Sequence, residues 1–184
     1  MSYLITCSNS KIEPNKINPS TLKNLSFSQL NSTRETLIKE YQKQKGKLDW
    51  NKCLPAWQLY SGKRAKLYPK VDVNNWSKPD ANIKILSALF GWINHTDLIP
   101  WYNLAMTDKV NINNNQINVF NYWRNNINLC DFINPIVDID LLSNKYRKAL
   151  NVGENPVALI PNVSWIDKYG VHKGIWLNKE LELI

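Results

Sequence analysis

The chain has 184 residues, 43% of them apolar, with eight Trp, eight Tyr and four Phe, enough for one core and too apolar for a disordered segment. Its formal charge of +8 is uneven: residues 1–70 hold 13 of the 23 Lys/Arg but only 4 of the 15 Asp/Glu, a concentration that attracts polyanions. No apolar run reaches the roughly 18 residues of a membrane span, no basic and apolar leader opens the chain, and Cys7, Cys53 and Cys130 fit neither a disulfide framework nor a zinc site, so the expectation is a cytoplasmic protein with no membrane association and no metal.

Tyr3-Leu4-Ile5-Thr6-Cys7 reads as a short buried strand opening into the polar turn Ser8-Asn9-Ser10-Lys11. Residues 12–31, rich in Asn, Pro and Ser, read as a long surface loop. Ser32-Thr33-Arg34-Glu35 matches a capping box, and Leu37, Ile38 and Tyr41 follow as a narrow apolar stripe ending at Gly46, which predicts an exposed basic helix. A second helix is predicted from Pro55 to about Lys66, with Gly62 inside it.

Ile83-Lys84-Ile85-Leu86-Ser87-Ala88 suits a central strand, followed by a break at Phe90-Gly91-Trp92 and a loop to Asn103. Beyond an Asn-rich link at 111–116, the stretches 119–129 and 138–150 read as helices, the latter with Leu141, Leu142, Tyr146 and Leu150 on one face, and Pro156–Pro161 as a third strand. The expected fold class is α/β: a single compact domain over residues 1–184, a small mixed sheet flanked by helices, with a basic loop and helix inserted at about 12–54. Ligands of such sheets bind beyond the carboxyl ends of the strands, which brings residues 7–11 and 90–103 together as the candidate site.

Several chemistries lack their residues. There is no P-loop, no Gly-x-Gly-x-x-Gly turn and no His-x-Glu with Cys-x-x-Cys, so no cofactor is expected. What remains is the cluster from Trp92 to Asn103, with Asp97 inside it and Asp108 beyond. A carboxylate there can stabilise an oxocarbenium-like sugar or activate water. Trp101, Tyr102 and Asn103 offer the aromatic faces and amide groups that read an extruded base. The plainer alternative puts Trp92 and Trp101 in the core and makes Asp97 a turn residue. Lys63, Arg64 and Lys66 follow Tyr60-Ser61-Gly62, either to hold a phosphate backbone beside an aromatic platform or as a solvated face.

Three blocks in order, Leu4-Ile5-Thr6-Cys7-Ser8-Asn9-Ser10-Lys11, Pro55-Ala56-Trp57-Gln58-Leu59-Tyr60-Ser61-Gly62, and Ile85-Leu86-Ser87-Ala88-Leu89-Phe90-Gly91 with Asp97-Leu98-Ile99-Pro100-Trp101-Tyr102, resemble the YaaA-like superfamily and its short relatives. The chain departs from that pattern at Trp92, where Leu is usual, and at Trp101, which separates Pro100 from Tyr102. The resemblance implies a compact α/β fold with a positive cleft and DNA binding as in the peroxide-stress branch. It also implies a similarity to antiviral DNA glycosylases that excise hypermodified cytosines from phage DNA.

On that implication the expected function is hydrolysis of a base–sugar bond by base flipping, with DNA, modified in its bases, as partner. Asp97 is the favoured catalytic carboxylate and Asp108 its substitute. Ser8, Asn9, Tyr60, Ser61, Trp101, Tyr102 and Asn103 would contact the substrate, and Lys11, Lys63, Arg64 and Lys66 would hold the backbone. The alternatives are a DNA-binding stress-response protein without catalysis and a glycosidase or transferase acting on nucleotides or transfer RNA. The sequence gives no support for a lyase step by a lysine and names no protein partner.

Overall fold

The computed structural model describes residues 1–153, 155–161 and 170–184. Among them are the strands β1 (Ser2–Thr6), β2 (Cys53–Pro55), β3 (Ile83–Ser87), β4 (Gly91–Asn94), β5 (Leu98–Pro100), β6 (Lys109–Ile112), β7 (Asn115–Asn118) and β8 (Asp138–Asp140). The helices are α1 (Asn31–Lys45), α2 (Ala56–Leu59), α3 (Val73–Trp76), α4 (Val119–Asn126), α5 (Asn144–Arg147) and α6 (Gly170–Glu182).

The main sheet has the order β4-β3-β1-β8. β1 is parallel to both neighbours, with Tyr3 opposite Ile83 and Ile139, and β3 is antiparallel to β4, with Ser87 opposite Gly91 and Lys84 opposite Asn94. A strand flanked on both sides and covered on both faces must be apolar throughout, which is why Leu4 and Ile5 are fully buried. The mixed α/β architecture is the expected one, and one apolar core runs from Tyr3 to Leu181.

Several local expectations give way to tertiary context. The capping box does not form: a 3-10 turn at Ser28–Leu30 runs straight into α1, Ser32 lies inside the helix, and no side chain caps its start. Nor is α1 simply an exposed basic helix, because Arg34 is fully buried. The helix expected from Pro55 to Lys66 is cut to α2, since Tyr60 must turn its ring under β3 and Gly62 presses on Ser10 and Lys11 so closely that a Cβ would lie 2.5 Å from the Ser10 carbonyl carbon.

The expected loop after Gly91 instead contains β4 and β5. Gly91 takes a φ of +63° and its missing side chain leaves room for Trp123, so the chain reverses there into a hairpin. The 111–116 link is also a hairpin, β6 to β7, whose two turn residues Asn113 and Asn114 both have positive φ.

The segment 138–150 begins as β8, because Asp138 accepts from Ser2 Oγ and Lys84 Nζ and Asp140 from Arg147 Nε (3.0 Å). Its helix is confined to α5. Of the strand expected at 156–161, only Leu159 bridges to Ile139. Residues 12–31 are pinned rather than loose: Asn18 and Ser20 hydrogen-bond the 50–53 segment, and Leu25 and Leu30 enter the core.

Candidate functional site

The carboxyl ends of β1 and β3 carry the densest set of polar groups with open space beside them. Past Thr6 the chain runs through Cys7, Ser8, Asn9 and Ser10, which with Arg64, Lys66 and Tyr146 line a cleft of about 410 Å³. The loop is stitched to its wall by three hydrogen bonds: Ile12 N donates to Leu59 O (2.8 Å), Gly62 N to Ser10 O (3.2 Å) and Arg64 N to Ser10 Oγ (3.0 Å). Ser8 Oγ accepts from Ser10 N (3.1 Å), which shapes the turn, while Asn9 stays exposed.

Beneath the loop lies a closed triangle of hydroxyls. Tyr60 Oη is 2.7 Å from Tyr102 Oη and donates to Ser87 Oγ (3.0 Å), and Ser87 Oγ is 2.9 Å from Tyr102 Oη. Both tyrosines are fully buried, and burial lifts their hydroxyl pKa well above the ordinary value. They are expected to line a base pocket, but both are buried in the core and neither lines the cleft.

Against those rings sits Lys11. Its Nζ is 4.3 Å from the Tyr102 ring centroid and 5.9 Å from that of Tyr60, within the range of a cation–π contact. Burial lowers its ammonium pKa, opposed by the nearby Cys7 and Asp108. Cys7 Sγ lies 3.0 Å from Tyr146 Oη, and both residues line the cleft.

The two candidate carboxylates part company. Asp108 is half-buried, accepts one hydrogen bond, from Ala105 N (2.9 Å), and lies near enough to Lys11 and Tyr146 for its charge to act on both. Asp97 sits in the turn between β4 and β5. Because β4 runs antiparallel to β3 and Asn94 lies opposite Lys84, this turn is at the amino end of β3, away from the cleft. At 9% exposure its oxygens accept from Ser26 N (2.9 Å), Ser26 Oγ (2.7 Å) and Asn94 N (3.1 Å). Burial raises its pKa, opposed by those bonds and by Arg34.

Of the remaining expected residues, Ser61 Oγ donates to Trp57 O (2.7 Å) within its own turn, and the main-chain N of the exposed Asn103 donates to Tyr41 Oη (3.0 Å). Trp101 is 41% exposed and therefore not core, whereas Trp92 is fully buried and donates to Leu129 O (3.0 Å). Arg64 and Lys66 edge the cleft, and Lys63 is exposed next to them. Sequence reasoning missed Tyr146, read as one member of an apolar helix face, and Ser87, read only as strand. It treated Cys7 as an isolated thiol. The signal available was the rule that polar groups beyond strand carboxyl ends converge.

The sequence profile of the family described as peroxide stress protein YaaA matches residues 9–169. A UPF0246 protein of Malacoplasma penetrans is 26% identical over 159 residues, covering 82% of this chain and 62% of its own. The chain thus spans about three fifths of the length of that relative.

Proposed function

The chain belongs to the peroxide stress protein YaaA family, and we propose that it is a DNA glycosylase that flips a modified base out of the stack and hydrolyses its bond to the sugar. The observation that carries this reading is a cleft beyond β1 lined by Ser8, Asn9, Arg64 and Lys66, with Asp108 near enough to Lys11 and Tyr146 for its charge to act on both. Cations at the rim hold phosphates and fix the register of the strand. Ser8 and Asn9 offer hydroxyl and amide groups to the base, with Tyr146 at the wall.

Breaking a base–sugar bond develops positive charge at C1′, so the catalyst needs an anion or a water-activating base at that carbon. Asp108 is half-buried and accepts only a single hydrogen bond, which leaves lone pairs for that role. Asp97, with three hydrogen bonds and its place at the far end of β3, is assigned to holding residues 26 and 94 together.

The test is incubation of the protein with ordinary DNA and with DNA carrying hypermodified cytosines, followed by measurement of free base and alkali-labile abasic sites. Base release confined to modified DNA, lost in Asp108→Asn and kept in Asp97→Asn, is the expected outcome. Salt-sensitive DNA binding with no base released from any substrate replaces this reading with that of a DNA-binding stress-response protein without catalysis.

A further inference from the structure

A lysine at a protein surface keeps its ammonium in water or beside a carboxylate. Lys11 does neither. Its backbone is clamped between Gly62 and Leu59, and a Cβ on Gly62 would stand 2.6 Å from the Lys11 nitrogen, so the residue is held at one position on the loop after β1. Its amine rests on two rings whose hydroxyls are locked together with Ser87. Among the described residues it makes no hydrogen bond and no ion pair.

The groups around it are those that amine chemistry uses. Asp108 lies near enough for its charge to act on the amine, Cys7 lines the cleft next to it, and burial disfavours the charged form. An amine whose charged form is disfavoured by burial is a better nucleophile toward carbonyl carbon than a solvated one.

We propose that Lys11 is a covalent nucleophile toward the C1′ aldehyde of an abasic deoxyribose, giving the protein strand-cleaving lyase activity as well as base excision; this rests on the reading that the cleft accepts a flipped nucleotide. The neutral Nζ adds to C1′ of the ring-opened sugar, forming a C–N bond as the carbonyl π pair moves to oxygen. Protonation of that oxygen expels water and leaves a protonated imine. Asp108 removes a C2′ proton, the electron pair forms the C2′–C3′ double bond, and the C3′–O bond breaks with the phosphate leaving as an anion. Water then hydrolyses the imine, returning the amine and releasing an unsaturated aldehyde. No oxidant or reductant enters.

The experiment uses the full chain and an end-labelled oligonucleotide bearing one abasic site, with and without sodium borohydride, which reduces an imine to a stable amine. The wild type is expected to give a covalent adduct with borohydride, mapped by peptide mass to Lys11, and a cleaved strand without it. Lys11→Arg, which keeps the cation, is expected to lose about tenfold or more of the adduct at saturating oligonucleotide, where a change in affinity does not enter.

An adduct undiminished in Lys11→Arg, or mapped elsewhere, overturns the assignment. So does base release from modified DNA with no adduct on abasic DNA, which leaves the glycosylase reading standing alone. Absence of base release from every modified DNA, with an adduct at Lys11, supports the lyase and sinks the excision step.

Discussion

The edge strand β4 and the carboxyl end of β1 treat charge in opposite ways. Along β4, Asp97 and Arg34 are buried with their polar atoms engaged: Arg34 donates to Phe90 O (2.7 Å), Trp92 O (2.6 Å), Ser26 O (2.8 Å) and Asn31 Oδ1 (2.8 Å). At the carboxyl end the Lys11 amine has only ring faces, and Asp108 accepts one bond. A buried charge whose partners are complete is a fastening; one left incomplete at a cleft is kept at a cost to stability and is a candidate for chemistry. Two aspartates eleven residues apart in sequence thereby receive different roles.

The largest effect is expected where the fastening is cut. Arg34→Ala strands three main-chain carbonyls, and burial has already drawn the guanidinium pKa down to about 10. A loss of about 3–5 kcal/mol in unfolding free energy, read by urea denaturation, is expected. A variant within 1 kcal/mol of wild type, roughly the worth of one hydrogen bond, would show that β4 is not held by this residue.

Next comes the carboxylate at the open end. Asp108→Asn is expected to lower single-turnover base release by about 10²–10³-fold with little change in melting temperature. Asp97→Asn should do the reverse, keeping the rate while costing about 1–3 kcal/mol of stability. If both variants lose rate equally, the division between the two regions fails.

Gly62→Ala probes the clamp on Lys11. An added methyl would meet the Ser10 and Lys11 backbone, so about 1–3 kcal/mol should be lost, and the borohydride adduct should fall with it as the amine moves. A variant with normal stability and normal adduct would mean that loop placement does not matter to the amine.

The smallest effect is a pH slope from the turn after β4. Burial holds the His95 imidazole below its ordinary 6.5, against the carbonyls of Trp76 and Ile83 and the charge of Asp97. The unfolded chain therefore takes up the proton first as pH falls, so stability declines below 6.5 until the folded ring also protonates, with a slope of at most about 1.4 kcal/mol per pH unit. Denaturation at several pH values should show the slope in the wild type and its reduction in His95→Gln.

Some of this was written locally. The run Tyr3–Cys7 and the run Ile83–Ala88 are apolar and β-branched enough to be strands in any setting, and both are central strands here. Their parallel pairing sends Ser8, Asn9 and Lys11 to the end where ligands bind, so that half of the candidate site was legible from pattern and topology. The apolar Leu37, Ile38 and Tyr41 likewise marked a helix that is present.

Only the tertiary structure decided the rest, because it depended on partners far away in the chain. Asp138 and Asp140 look like a helix start until Lys84 and Arg147 are brought to them, and then they belong to a strand. Asp97 and Asp108 are equal in sequence, and Ser26 makes them unequal. Tyr60 and Tyr102 read as exposed platforms because aromatic residues beside basic ones suggest stacking, but a hydroxyl triangle with Ser87 satisfies their polar ends and allows both rings to be buried. Local pattern records the propensity of a segment, whereas the balance of burial against hydrogen-bond satisfaction is fixed only when distant segments meet.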